Sequence, residues 1–386
     1  MNKRIGIISY GSLSALGGEP AAIWSNYLHH RSLLCFDQAL SAWVGALPAV
    51  EEHRLCASDT IKTYQKLDRT VRLALLAAEG AMKEMAHPSS FRWGINWGSS
   101  RGATERFEKY HSDFLTGEAL SPNSSPLTTL GNVSSWVAQY LGLQSININH
   151  SVTCSTALHA LLNGIVWLES GRCDFFLAGG TEAPLTPFTV AQMKALRIYA
   201  HSAEAVYPNQ SLDLNKEHNS MVLGEGAAGF VLSKKTSHPP LAWIAGVGYA
   251  MERISSPSGI SAKGMAMQAA MRMALHEAAL STVDVIVCHT PGTVQGDKAE
   301  WEAIQAVFGD NIPSLTTNKW KIGHTLGASG ALSLEMALLM LQHQTFIGMP
   351  LGSFKDQKAP KKIRTIMVNA TGFGGNAVSI ILSKEP

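Results

Sequence analysis

The sequence predicts an α/β protein made of two similar halves, on three observations. Apolar strand-like runs alternate with helical stretches over all 386 residues, as when helices are layered on mainly central sheets. A charged, proline-containing segment, Lys234–Pro240, interrupts the alternation, and a similar order of elements restarts after it. Charged residues make up 16% and apolar ones 46%, against about 25% charged in an ordinary globular chain, so burial is extensive. The halves are residues 1–235 and 236–386, and their repeated order points to an internal duplication.

The elements follow in order. Arg4–Ser9 is a strand entering a turn, because Gly6, Ser9, Tyr10 and Gly11 break its apolar run too early for a signal peptide. Thr70–Met85, rich in Ala and Leu, is a helix; Arg92–Trp97 is a strand ending at Gly98–Gly102; Thr128–Leu141 is a helix. Ile146, Ile148 and Val152 form a strand-like approach to Cys154, and Ala157, Leu158, Leu161, Leu162 and Ile165 leave it at helical spacing. Phe175–Ala178 is a strand stopped by Gly179 and Gly180, and Ala227–Ser233 closes the first half. The second half reads Trp243–Tyr249 strand, Ala262–Ala279 helix, Val283–His289 strand, Ala299–Phe308 helix and Gly327–Gln342 helix. Strands Arg364–Asn369 and Ala377–Leu382 end the chain.

Composition removes several function classes. Thirty-one Lys and Arg against 29 Asp and Glu leave no global basic field for a nucleic-acid backbone. Five cysteines (35, 56, 154, 173 and 288) show neither a CxxC pair nor zinc spacing, which suits a reducing cytoplasm and no metal. No run approaches the roughly 18 apolar residues of a membrane span, so no integral membrane segment is expected.

Four stations carry chemistry. Cys154 lies on a strand-to-helix corner, where the helix dipole and free N–H groups favour a thiolate. His289 ends a buried strand and opens a loop with Pro291, Gly292 and Gly296. His324, in Gly323-His-Thr-Leu-Gly327, sits beside a helix start, which favours a neutral imidazole able to donate to an oxyanion. Asn369-Ala-Thr-Gly-Phe-Gly-Gly-Asn376 is a turn whose N–H groups could form an oxyanion hole. Singly, His289 reads better as a satisfied histidine at a strand end, and the turn as a plain Gly-rich β-turn between the last two strands.

In this order and spacing, the stations resemble the β-ketoacyl-acyl-carrier-protein synthases of the elongating type, in the thiolase superfamily. The resemblance spans nearly the whole chain. It includes Ser125-Pro-Leu-Thr-Thr-Leu130, Phe175–Glu182 and Val222-Leu-Gly-Glu-Gly-Ala-Ala-Gly229. It implies a thiolase-like fold of duplicated α/β halves in α-β-α-β-α layers. It further implies a Cys154, His289, His324 site with Lys319 near the second histidine. Phe373 would be a gating aromatic flanked by Gly372 and Gly374, its N–H joining that of Cys154 in the oxyanion hole. Asp297 and Glu300 would support the first histidine's loop. The implied reaction is decarboxylative condensation of a Cys-bound acyl group with malonyl-acyl-carrier-protein, in fatty-acid, polyketide or aryl-polyene synthesis. No cofactor is implied beyond the phosphopantetheine of the acyl carrier protein. The partners implied are that carrier and a second ketosynthase-like subunit, in a homodimer or a heterodimer. A basic rim of Lys62, Lys66, Arg69 and Arg72 would dock the acidic carrier, with Arg101 and Arg106 adding to it.

The chain departs from the family pattern in three places. Thr290-Pro-Gly-Thr-Val-Gln295 stands for the usual Gly-Thr-Gly-Thr-Pro, Thr371 replaces an aromatic, and the words around Asp213 and His218–Met221 are weak. A thiolase is excluded because no cysteine follows Cys288, and an initiating synthase because His324 stands where its second partner would be Asn. The remaining alternative is a chain-length-factor-like subunit with little or no catalysis; an intact Cys154 argues against it.

Overall fold

The computed structural model describes residues 5–57, 64–83, 85, 91–129, 132–201, 205–234, 239–256 and 259–386. In the first half the strands are β1 Gly6–Ser14, β2 Cys35–Asp37, β3 Ala42–Gly45, β4 Trp93–Gly98, β5 Ser145–Ile148, β6 Phe175–Glu182, β7 Leu223–Gly224 and β8 Gly226–Ser233. In the second they are β9 Ala242–Met251, β10 Val285–Val287, β11 Ser314–Thr316, β12 Thr365–Gly372 and β13 Asn376–Ser383.

Ten of these strands run in the order β11-β10-β12-β13-β9-β1-β8-β6-β4-β5. From its centre outward the sheet reads β1-β8-β6-β4-β5 on one side and β9-β13-β12-β10-β11 on the other. Both sides pair antiparallel, antiparallel, parallel, parallel. The chain visits corresponding positions in the same order in each half. The two sides pair through Gly6–Trp243 and Ile7–Ala242. Internal duplication is thus written into the topology. The proposed boundary at 235/236 lies outside the described residues.

Side-chain alternation shows why helices cover both faces. Phe176 and Ala178 of β6 join one core cluster while Phe175 and Leu177 join another. Val285 and Val287 of β10 likewise separate from Ile286. The helices Thr156–Glu169 and Ser329–His343 fill the space between the two sides and touch each other. Arg69–Met82 covers β1 and β8 from outside, and Met265–Ala278 covers β9 and β13. The layers are helix, sheet, helix, sheet, helix.

Several elements run differently from their sequence reading. The first strand continues to Ser14, and the strand at Phe175 continues to Glu182. Their glycines mark close approach rather than a stop. A side chain at Gly11 would strike the Ala77 carbonyl of the covering helix, and one at Gly180 would lie 2.7 Å from Ala157 Cβ and 2.8 Å from Gly327 O. Strand β10 is only Val285–Val287, leaving His289 beyond its end. The stretch Thr128–Leu141 resolves into Ser124–Thr128 and Asn132–Leu141. Helices Pro20–Leu28, Thr104–Leu115 and Pro187–Ala195 have no counterpart in the sequence reading. Thr104–Leu115 exposes Phe107, Phe114 and Leu115.

Candidate active site

Cys154 sits between β5 and the helix Thr156–Glu169, on a turn that the backbone must be forced to make. Thr153 has φ of 48°, a left-handed conformation that a β-branched residue rarely adopts. Its hydroxyl donates to Phe373 O at 3.0 Å, and Val152 O accepts from Ser155 N at 3.2 Å. The Gly372–Gly375 turn is thereby tied to the cysteine turn. A side chain at Gly372 would run into the Thr153 hydroxyl and lie 2.9 Å from Cys154 N. Gly372→Ala is expected to displace both turns and lower condensation turnover by about 10²-fold, the cost of losing one oxyanion donor. Steady-state kinetics beside a melting curve would check this.

His289 follows β10, and two acidic residues hold its loop. Glu300 accepts from His289 N at 3.0 Å and Thr290 N at 2.8 Å, and Asn369 donates to it at 3.1 Å. Asp297 accepts from Gly292 N at 3.1 Å and Leu212 N at 3.0 Å, and pairs with Lys216 Nζ at 2.6 Å in a fully buried ion pair. His324 is anchored by its backbone: its N–H donates to Val222 O at 2.7 Å, and its carbonyl accepts from Gly224 N at 3.1 Å. Lys319 is buried, and its ammonium donates to Ser333 Oγ at 3.1 Å.

The fold brings three stations together. Cys154 Sγ and one nitrogen each of His289 and His324 all lie within 4.8 Å of one another. The two rings meet edge to face, with centroids 5.1 Å apart. Nδ1 of each ring has no hydrogen-bond partner among the described residues. The same donor set could hold a soft divalent ion such as zinc. The fourth station closes over them: Gly372 and Phe373 line a cavity of about 310 Å³ with Cys154, both histidines, Met193, Ile198, Met221 and Ile260. Phe373 is partly exposed at 38%.

The electrostatics correct one expectation. Burial pushes the Cys154 thiol up to about 12, Glu182 adds to the rise, and the Lys319 charge opposes it. Desolvation of a thiolate therefore outweighs the helix start, and the resting group is a thiol. Both imidazoles are neutral, as the sequence led one to expect for His324, although through burial rather than a helix dipole. Burial and then Lys319 bring His324 down to about 3, while burial, His324 and Lys319 hold His289 well below the ordinary range. Burial also draws Lys319 down to about 8, against Glu300 and Cys288. Alkylation of Cys154 by iodoacetamide is expected to climb with pH by up to about tenfold per unit from pH 7 to 10, with no plateau. Lys319→Met is expected to slow it most below about pH 8, where Lys319 is charged.

The suggested docking cations fare differently. Lys62 lies outside the described residues. Lys66 is exposed. Arg69 turns inward to Glu225 at 2.7 Å and also pairs with Glu52, so it braces the fold rather than a surface. Arg72 donates to Leu55 O at 2.8 Å, and Arg101 to Gln192 at 2.6 Å. Sequence reasoning missed Lys216, whose signal was only a lone lysine in a polar segment. It also missed the side chains that line the cavity from Met193 to Met221.

Family comparison covers both halves of the chain. Residues 2–238 match the family model described as the β-ketoacyl synthase N-terminal domain, and 241–350 match the C-terminal domain. The chain belongs to the β-ketoacyl synthase family. Its activity class is acyl transfer by condensation in fatty-acid or polyketide synthesis. Among relatives, 3-oxoacyl-[acyl-carrier-protein] synthase 2 of Coxiella burnetii is 28% identical, covering 99% of each chain. Nodulation protein E of Rhizobium meliloti is 27% identical, covering 98% of each. A β-ketoacyl synthase structure from Burkholderia phymatum superposes with TM-score 0.87 at 24% identity, covering 100% of both chains. A type II polyketide-synthase acyl-carrier protein in complex with its ketosynthase gives 0.86 at 22%, covering 99% and 100%. Both share the thiolase-like ketosynthase fold. No helix of the described residues is long and apolar enough to cross a membrane.

Proposed function

We propose that Cys154 takes an acyl group from an acyl-carrier thioester and that His289 and His324 then drive its decarboxylative condensation with a malonyl thioester. The observation that supports this best is the convergence of thiol and two neutral imidazoles within 4.8 Å at one cavity. Because the resting thiol is protonated, its proton moves to a neighbouring imidazole as sulfur attacks, and from there to the departing pantetheine sulfur. The tetrahedral oxyanion is held by the N–H groups of Cys154 and Phe373. In the second step the malonyl thioester oxygen accepts hydrogen bonds from both histidines. Its carboxylate carbon leaves as carbon dioxide, and the released electron pair forms an enolate. The enolate carbon attacks the acyl carbonyl, the C–S bond to Cys154 breaks, and the thiolate regains a proton from solvent. Lys319 keeps the histidines neutral between turnovers; Glu300 and Asp297 hold the first of them in place.

The carrier protein is the partner that presents both substrates, in the cytoplasm, and the chain works as a dimer with an identical or homologous subunit. No cofactor acts beyond the carrier's phosphopantetheine. Intact-mass analysis after incubation with an acyl-carrier thioester tests the reading. The expected result is one acyl adduct that maps to Cys154. No adduct, with activity appearing only when a homologous chain is added, would overturn it in favour of a cavity-shaping subunit.

A further inference from the structure

Glu182 is a fully buried carboxylate at the end of β6 to which the reaction above assigns no step. It accepts from five donors, all hydroxyls or backbone N–H groups. Ser99 Oγ at 2.8 Å and Arg101 N at 3.1 Å reach Oε1; Ser100 N at 2.9 Å, Ser100 Oγ at 2.7 Å and Gly327 N at 2.8 Å reach Oε2. The first four belong to the loop after β4. The fifth belongs to the loop that carries His324, and so to the other half of the chain. Between His324 and Gly327 the backbone passes through Leu326 at φ of 41°, a conformation that persists only where the surroundings enforce it. On the opposite side, Ser151 Oγ donates to Ser100 O at 3.0 Å, which ties the same loop to the turn bearing Cys154.

We propose that Glu182 is a positioning residue that sets the His324 loop and the Cys154 turn at one separation, with Ser100 and Ser151 as the link. It touches no reacting atom. Its consequence falls on the step that needs both sites at once, where the enolate held by the histidines must meet the acyl carbon held by Cys154. Acylation can pass its proton to His289, which lies outside the link, and decarboxylation does not use Cys154, so both tolerate a shift; carbon–carbon bond formation does not. A misplacement of about 1 Å there costs on the order of 10²-fold.

The inference rests on the condensation reading, and the full-length protein can test the two separately. Two variants serve: Glu182→Gln, which keeps volume but removes one acceptor and the charge, and Ser151→Ala, which breaks the link without leaving a buried carboxylate exposed to new partners. For each, Cys154 acylation, malonyl decarboxylation and full condensation are measured alongside a melting curve. The expected result is condensation down by about 10- to 100-fold, with each half-reaction within about threefold of wild type. Glu182→Gln alone should also shift the alkylation profile of Cys154 to lower pH, since the carboxylate raises that thiol. Condensation falling no further than the slower half-reaction would overturn the positioning role, as would an unaltered Ser151→Ala. If Glu182→Gln does not fold, Ser151→Ala still decides. Absence of acylation in the wild type would instead count against the condensation reading, while the alkylation shift still reads Glu182.

Discussion

Cys154→Ala is expected to abolish condensation, by on the order of 10⁴-fold or more, while leaving carbon dioxide release from malonyl thioester measurable. The two outcomes separate because the groups that do the two jobs are different. Only the sulfur can hold the acyl group, and none of the other four cysteines lines the cavity: Cys173 and Cys288 are buried in core clusters, and Cys35 and Cys56 are exposed. Decarboxylation needs an oxygen held by His289 and His324, and the smaller alanine leaves those rings and the cavity in place. His324→Ala should give the converse, with acylation of Cys154 surviving in part and carbon dioxide release lost. Mass analysis for the adduct and a carbon dioxide assay for the second step check both. A Cys154→Ala protein that still condenses would place the acyl group on another residue.

The four stations were legible as an ordered set, although each alone was ambiguous. Cys154 precedes a helical spacing, His289 and His324 stand among small residues, and the Gly372–Gly375 run cannot be an ordinary strand. What a single sequence could not show is environment. The position of Cys154 before a helix suggested a stabilised thiolate, yet burial and the Glu182 carboxylate push the other way, and neither is visible in local order. Glu182 lay beyond the strand that the sequence reading stopped at Ala178, and its donors stand 81 to 83 positions earlier or, for Gly327, 145 later. The glycines at 11 and 180 were misread for the same reason: a glycine that ends a strand and one that admits a helix look alike until the helix is placed. Arg69 shows the reverse error. It was taken for a surface cation from its neighbours, but its partners Glu52 and Glu225 lie 17 and 156 positions away.

Lys216→Met is expected to destabilise the protein by about 3–5 kcal/mol, because it strands the buried Asp297 carboxylate without its cation. The pair is fully buried, 1% and 0% exposed, so solvent does not screen it. Even with Lys216 present, burial holds the Asp297 carboxyl above the usual carboxylate range, so removal of the ammonium raises it further. The pH dependence follows from that direction. In the unfolded chain the carboxyl ionises near about 3.9, and in the folded variant it ionises higher. Between those two values the folded state binds the extra proton, and stability falls as pH rises. The loss should therefore be small near pH 4 and reach its full size once pH exceeds the folded value. Chemical denaturation at pH 5 and pH 8 measures the difference. Adding Asp297→Leu to the variant should recover part of the loss, since a buried pair replaced on both sides costs far less than one broken on one side. Function should suffer beyond stability, because Asp297 also accepts from Gly292 N and Leu212 N. A carboxyl that protonates in place keeps the geometry but weakens both bonds, and the loop that begins at His289 loses its brace.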